Sequence, residues 1–306
     1  MKRDFLSIWD FTRDQLEHLL DQARTLKAQA AAGPLPRSLD GKVLGLLFVK
    51  PSTRTRVSFE AAMYRLGGQC LFLTTQDTQL ARQEPLRDTA RVLSRYLDAL
   101  VVRTYAHQDV VELGRWASIP VINGLTDLLH PCQVMSDLLT LSEIRGRIDD
   151  LKAAWIGDGN NVAHSWIHAA GRLGFTLYLS CPAGYWPDAR LIHKVQQEGS
   201  GTLVFCDDPR DAVKAVDVIN TDVWASMGQE AEAETRRRVF QPFQVNAELV
   251  QAAPAHAVVM HCLPAHRGEE ITDQVIEGPR SVVFDQAENR LHFQTALLDR
   301  LLQRTL

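Results

Sequence analysis

Five residues at Ser52-Thr53-Arg54-Thr55-Arg56 carry three hydroxyls and two guanidiniums, just after an apolar run that Pro51 breaks. At the start of a helix, free backbone N–H groups and the positive end of the helix dipole favour an anion. Hydroxyls add donors, and Arg adds a charged fork suited to phosphate. The segment lacks Gly-x-x-x-x-Gly-Lys-Ser/Thr, so it is not a nucleoside triphosphate loop. The plainer alternative is a helix cap with solvated arginines. Arg103 ends a second apolar run and suits an oxygen of the same anion. His130-Pro131-Cys132-Gln133 opens a helical stretch, and both His and Gln can donate to a carbonyl oxygen or accept from an amide. Capping is the competing role for His130, and Cys132 reads better as a small buried residue than as an activated thiol.

Further along, Gly157-Asp158-Gly159-Asn160-Asn161 invites a dinucleotide reading, but Val162 stands at the third glycine position. The next apolar run ends in Ser180-Cys181-Pro182, without the acid that would hold a ribose hydroxyl. Asn161 then serves either a polar substrate or a helix N-cap. Asp222 suits an ammonium group, and Ser226-Met227-Gly228 reads as a loop able to close over a ligand. At His261-Cys262-Leu263-Pro264 the thiol and the Leu263 carbonyl are placed to face a ligand. No zinc set is evident there, while a thiol hydrolase using Cys262 or Cys132 beside a basic His stays open. Arg290, opening the last helical stretch, reads singly as surface.

These residues need elements to position them. Thr12-Arg13-Asp14-Gln15 is a capping box, followed by an apolar stripe from Leu16 to Leu26 and a stop at Gly33-Pro34. Val43–Val49 lacks alternation, as expected of a strand buried on both faces. Strands are expected at 70–73, 99–103, 121–122, 153–156, 175–180, 203–205, 216–220, 258–261 and 282–284. Helices are expected at 57–66, 87–97, 131–144, 162–173, 189–197, near 213, and from Glu288 to about Leu302. Such alternation means α/β domains built on parallel sheets, and 306 residues suffice for two of them, with the 131–144 helix as a bridge. Ligands in such sheets sit beyond the carboxyl ends of the strands, where the residues above lie.

Composition excludes several classes. Lys+Arg 33 against Asp+Glu 37 gives −4, which argues against nucleic acid as a partner. Five cysteines with no C-x-x-C pair do not make a disulfide framework. Apolar runs fall far short of the ~20 residues that span a bilayer, and the first residues, MKRDFLSIWDFTRDQ, lack an apolar leader core. A cytoplasmic location is the expectation.

Taken in order and spacing, the segments resemble the aspartate/ornithine carbamoyltransferase family. The matching stretches are 52–56, Asp88–Ser94, 130–133, 157–161, Asp222–Gly228, His261–Gly268 and Glu288–Arg290. Within the family, Cys132, the Ser-Met-Gly loop and His-Cys-Leu-Pro favour the ornithine branch over the aspartate branch. The resemblance implies that carbamoyl phosphate and L-ornithine give L-citrulline and phosphate, in arginine biosynthesis, with no cofactor, metal or covalent intermediate. It implies two doubly wound parallel-sheet α/β domains with the active site in the cleft between them. Residues 1–142, completed by the C-terminal helix 288–306, would bind carbamoyl phosphate, and residues 143–287 ornithine. It also implies a homotrimer with active sites near subunit interfaces.

By the same resemblance, Ser52, Thr53, Arg54 and Thr55 hold the phosphate, with Arg290 completing the anion site. Arg103, His130 and Gln133 bind the carbonyl side. Asn161, Asp222, Ser226 and the Met227 backbone orient the amino acid, and Cys262 and the Leu263 carbonyl lie near the attacking amine. Arg103, His130, Cys262 and Asp222 are the expected catalytic groups. Gln79 sits in a loop that reaches a neighbouring subunit's site in relatives. That loop departs from the family pattern at Ala81, where Gly is usual, and at Pro85, where Ser is usual. Two other classes compete: a nicotinamide-dependent oxidoreductase using Gly157-Asp-Gly159, and a non-catalytic amino-acid receptor.

Overall fold

The computed structural model describes residues 3–74, 84–225 and 230–303. The chain divides into two compact units, 1–139 with 289–306, and 140–288. In chain order the first unit holds α1 (Arg13–Ala32), β1 (Val43–Phe48), α2 (Thr53–Arg65), β2 (Gln69–Thr74), α3 (Leu86–Leu93), β3 (Ala99–Arg103), α4 (His107–Trp116) and β4 (Val121–Leu125). The α5 helix (Pro131–Arg145) crosses the division at 139/140. Thr12 caps α1 as its residue types require: its hydroxyl accepts from Gln15 N at 3.4 Å, and Gln15 Oε1 accepts from Thr12 N at 3.0 Å.

The first sheet is parallel, in the order β2-β1-β3-β4. Chain order therefore reverses direction between β1 and β3, which pair with Phe48 opposite Arg103. Every residue of β3 is buried, so Ala99–Arg103 could not alternate polar with apolar. From Asn289 onward the last helix belongs to this unit; Lys27 Nζ donates to Asn289 at 2.8 Å and Phe293 packs on Phe5.

The second unit contains β5 (Lys152–Ile156), α6 (Asn161–Leu173), β6 (Thr176–Ser180), α7 (Ala189–Glu198), β7 (Thr202–Phe205), α8 (Pro209–Val213), β8 (Val218–Thr221), α9 (Ala233–Phe240), α10 (Ala247–Ala252), β9 (Val258–His261) and α11 (Asp273–Ile276). Its parallel sheet runs β7-β6-β5-β8-β9, reversing between β5 and β8. Ile156, Ile219, Val259 and Ile271 share one buried cluster here. Both sheets are thus the expected doubly wound, parallel α/β type, each with one switch point.

Two expectations fail locally. Val282–Phe284 is not a strand: Val282 N bonds Val259 O at 3.0 Å, and Val282 O accepts from Gln286 N, so the chain turns at once into α12 (Val283–Leu302). Its apolar character reflects Val283 buried in the second unit's core. The α4, α9, α10 and α11 helices were not anticipated. The residue before α4 is Ala106, which gives no side-chain cap, and α11 has only 4 residues.

Candidate active site

Ligands in open α/β sheets gather where strand order reverses. In the first unit that point lies between β1 and β3, and it delivers the 52–55 turn and Arg103. Ser52 is the N-cap of α2, accepting from Thr55 N at 3.2 Å, so the capping alternative holds together with the cluster it helps build. Thr55 is fully buried, and its hydroxyl oxygen accepts from Arg290 Nη2 at 2.7 Å, Arg103 Nη1 at 3.5 Å and Ser52 Oγ at 3.1 Å. One hydroxyl therefore gathers two guanidiniums that lie far apart in sequence. Thr53 is exposed and Arg54 half-buried.

The positive charge acts on His130. Burial first, then Arg290, Arg103 and Arg54, hold its imidazole well below the ordinary histidine range, so the ring is neutral. A neutral ring keeps one donor and one acceptor. Gln133 is fully buried and donates to Asp137 Oδ1 at 2.9 Å, while its own carbonyl oxygen has no hydrogen-bond partner among the described residues. Cys132 is fully buried, gives its proton toward Asn123 O at 3.5 Å, and burial pushes its thiol up to about 12. It is an inert packing residue and no nucleophile.

The second unit's switch point, between β5 and β8, delivers 157–161 and Asp222. The N-cap of α6 is Asn160, not Asn161: its Oδ1 accepts from Val162 N at 2.9 Å and Ala163 N at 3.2 Å. The same side chain donates to Asp222 Oδ2 at 2.8 Å. Asn161 is the first helical residue. Cys262 follows β9, and its Sγ lies 3.2 Å from Asp222 Oδ1, so the expected carboxylate and thiol are in direct contact. Leu263 follows with φ +57° and a cis bond to Pro264.

The glycines that suggested a dinucleotide have a different cause. Gly157 holds φ +121°, and a Cβ at Gly159 would lie 2.3 Å from the backbone nitrogen of Pro187. The chain needs both glycines for its own packing. Asp158 faces Arg236, 3.2 Å away, and both are buried. Burial raises the Asp158 carboxyl to about 6, Arg236 opposing and the charges of Asp222 and Glu232 adding to it. Arg236 also donates to Trp224 O at 2.7 Å, at the edge of the segment leading to Ser226. The ligand atoms of Asp222, His261 and Cys262 lie within 4.8 Å of one another. Both ring nitrogens of His261 are engaged elsewhere, by Glu270 at 2.9 Å and by Leu263 N at 2.9 Å, and of the three only Asp222 and Cys262 touch each other.

The structure thus groups Ser52, Thr55, Arg103 and Arg290 by contact, with Arg54 and His130 close enough to interact by charge, and separately joins Asp222 to Cys262. Gln79, Ser226 and Met227, with Ala81, lie outside the described residues; Pro85 stands at the start of α3 without a side-chain cap. Sequence reasoning missed Asn160, Arg236 and Glu270. Asn160 was legible as a cap residue; a lone Arg in Arg236-Arg237-Arg238 and a Glu in Glu269-Glu270 look like surface.

Two family models match the chain: "Aspartate/ornithine carbamoyltransferase, carbamoyl-P binding domain" over residues 3–143, and the corresponding "Asp/Orn binding domain" over 149–301. The chain is 54% identical over 296 residues to an ornithine carbamoyltransferase of Desulfotalea psychrophila, covering 97% of this chain and 98% of that protein. The structure of ornithine carbamoyltransferase from Pyrococcus furiosus superposes with a TM-score of 0.95 at 51% identity, covering 100% of this chain and 98% of that one. An anabolic ornithine carbamoyltransferase structure from Campylobacter jejuni gives 0.92 at 36% identity, over 98% and 99% of the two chains. A hydroxyl-and-guanidinium turn at one switch point, a carboxylate and thiol at the other, and relatives matched along their whole length place this chain in the aspartate/ornithine carbamoyltransferase family.

Proposed function

We infer that the protein transfers the carbamoyl group of carbamoyl phosphate to the δ-amine of L-ornithine, giving L-citrulline and phosphate. The observation that carries this reading is the gathering of Arg103 and Arg290 on the Thr55 hydroxyl beside Ser52, in a chain matched end to end by ornithine carbamoyltransferases. Ser52, Thr53, Arg54 and Arg290 take the phosphate, with Thr55 holding the arginines. Arg103 and neutral His130 donate to the carbonyl oxygen. Fixed donors at an oxygen that gains charge stabilise the transition state, each worth ~3–4 kcal/mol. The unpartnered Gln133 carbonyl is an acceptor for the carbamoyl amide N–H.

Asp222, with Asn161, Ser226 and Met227, orients the amino acid's ammonium and carboxylate, and Cys262 and the Leu263 carbonyl address the δ-amine. A free alkyl ammonium must lose a proton before it attacks, which costs about 4.6 kcal/mol at pH 7. Binding beside a cationic cluster and away from water lowers that cost. The attack forms the C–N bond, phosphate leaves with the electrons of the C–O bond, and the amine proton passes to solvent or to phosphate. No nucleophilic side chain is required.

The carbamoyl-phosphate role falls to residues 1–142 with 288–306 and the ornithine role to 143–287. We place the enzyme in arginine biosynthesis in the cytoplasm; a relative named anabolic supports the pathway, and among the described residues no helix is long and apolar enough to cross a membrane. The assembly is a homotrimer. What supports association is the edge strand β2 with its neighbour α2, where Val57, Tyr64 and Leu71 are 54%, 81% and 51% exposed. Arg56 lies over the Phe72 ring there, lining a groove with Ser52 and Thr53.

Purified protein given carbamoyl phosphate and a panel of amines tests the reading. Citrulline from ornithine is expected. Carbamoylation of putrescine, N-acetylornithine or aspartate instead of ornithine would overturn the choice of acceptor.

A further inference from the structure

His261 stands next to the Cys262–Leu263 pair, yet its side chain has no place in the reaction outlined above. It is fully buried, and so is Glu270. His261 Nδ1 lies 2.9 Å from the backbone nitrogen of Leu263, and Nε2 lies 2.9 Å from Glu270 Oε1. A backbone N–H can only donate, so Nδ1 accepts and the ring proton sits on Nε2, aimed at the carboxylate. Glu270 Oε1 also accepts from His266 N at 2.7 Å, and Gln286 Oε1 accepts from His261 N at 3.0 Å. The Glu270 backbone is held in turn by a segment distant in the chain: its carbonyl accepts from Val245 N at 2.8 Å, and Ile271 bridges to Val245.

Leu263 needs such a hold. Its φ of +57° lies in the left-handed region, which is costly for a residue with a Cβ and persists only where surroundings impose it. The His261 ring takes the Leu263 N–H, and Glu270 fixes which ring nitrogen is free to take it. The contact chain therefore runs from a fully buried carboxylate, through one tautomer, to the backbone on which the reacting groups are mounted.

We propose that Glu270 and His261 are positioning residues for the carbamoyl transfer, holding the Leu263 N–H so that the Leu263 carbonyl and the Cys262 thiol address the reacting amine. The proposal rests on the assignment of Cys262 and Leu263 to the site made above. Neither side chain touches substrate. Their effect should fall on turnover and on ornithine, and leave the first unit's anion cluster alone.

The test compares two variants that deprive Glu270 of its ring equally. His261→Asn places a carbonyl oxygen near the Nδ1 position, and His261→Leu places nothing there. Leaving a buried donor unpaired should lower kcat/KM for ornithine about 100-fold in His261→Leu, and His261→Asn should recover about 10-fold of that loss. Inhibition by inorganic phosphate should stay within about 2-fold of wild type in both. Equal kinetics for the two variants, or wild-type kinetics in His261→Leu, would overturn the proposal. If neither folds, Glu270→Gln, which keeps an oxygen for both donors, is compared with Glu270→Met. The Gln variant should exceed the Met variant about 10-fold in kcat/KM for ornithine, and equality would overturn the proposal. Cys262→Ala, assayed alongside, separates the two claims: wild-type kinetics there would remove Cys262 from the site, whatever His261 does.

Discussion

Thr55 shows how little of a site lies in any one residue. Its hydroxyl accepts from Arg290 at 2.7 Å and from Arg103 at 3.5 Å, bringing charges from β3 and α12 onto one turn. Thr55→Val keeps the shape and removes the acceptor. Hydrogen bonds to charged groups are worth ~1.5–3 kcal/mol, so kcat/KM for carbamoyl phosphate should fall about 10–100-fold, with a smaller change in the KM for ornithine. An unchanged value would show that the arginines hold themselves. Burial first, and then the same cluster, keep His130 neutral, so its ring signals should not titrate between about pH 5.5 and 8 by NMR. A titrating ring there would contradict the charge environment described.

Asp158 gives a pH prediction of the opposite sense. Its folded-state value, raised to about 6 by burial, lies above the unfolded value near 3.8, so the folded state binds the proton more tightly. Its contribution to stability is present at low pH and is lost as pH rises from about 4 to about 6. The stability difference between wild type and Asp158→Asn, measured by urea unfolding, should therefore move against wild type across that window. A flat difference would mean that Arg236 alone sets the carboxyl. At this scale Ser52, Arg103 and Asp222 were legible because they follow apolar runs, where such folds keep their chemistry. Glu270 and Arg236 were not, since their roles depend on burial that neighbours far along the chain impose.

Among the elements, those with strong local signals appear where the sequence places them. Ala99–Arg103 and Val258–His261 match their expected limits because a strand buried on both faces is a continuous apolar run with abrupt ends. The α6 helix ends at Gly174, whose φ of +81° forms a left-handed cap. Gly174→Ala should cost about 1 kcal/mol and lower the melting temperature by about 2–4 °C. No change would mean that the last turn frays without loss. Where local signals are weak, sequence reasoning failed. The α9 helix, Ala233–Phe240, buries only Arg236 and Phe240, too sparse a stripe to set a period. At Val282–Phe284 an apolar run gave no hint that one residue would pack into a core while the backbone turned helical.

For the whole molecule, composition and alternation sufficed for two parallel-sheet units, because each strand–helix pair carries its own pattern. The proposed association has a fainter basis, in exposed Val57, Tyr64 and Leu71, which read singly as ordinary surface. Sedimentation should give a mass about three times the 34.3 kDa chain, and Leu71→Glu should shift it toward one. A wild-type monomer would contradict the assembly. Carbamoyl transfer depends most on the hydroxyl-and-guanidinium turn serving the carbamoyl donor. Its most direct test is citrulline formation from carbamoyl phosphate and ornithine by wild type and Arg54→Ala side by side. Wild type should turn over with saturation in both substrates, and the variant should lose at least about 100-fold in kcat/KM for carbamoyl phosphate. Equal rates, or no citrulline from the wild type, would contradict it.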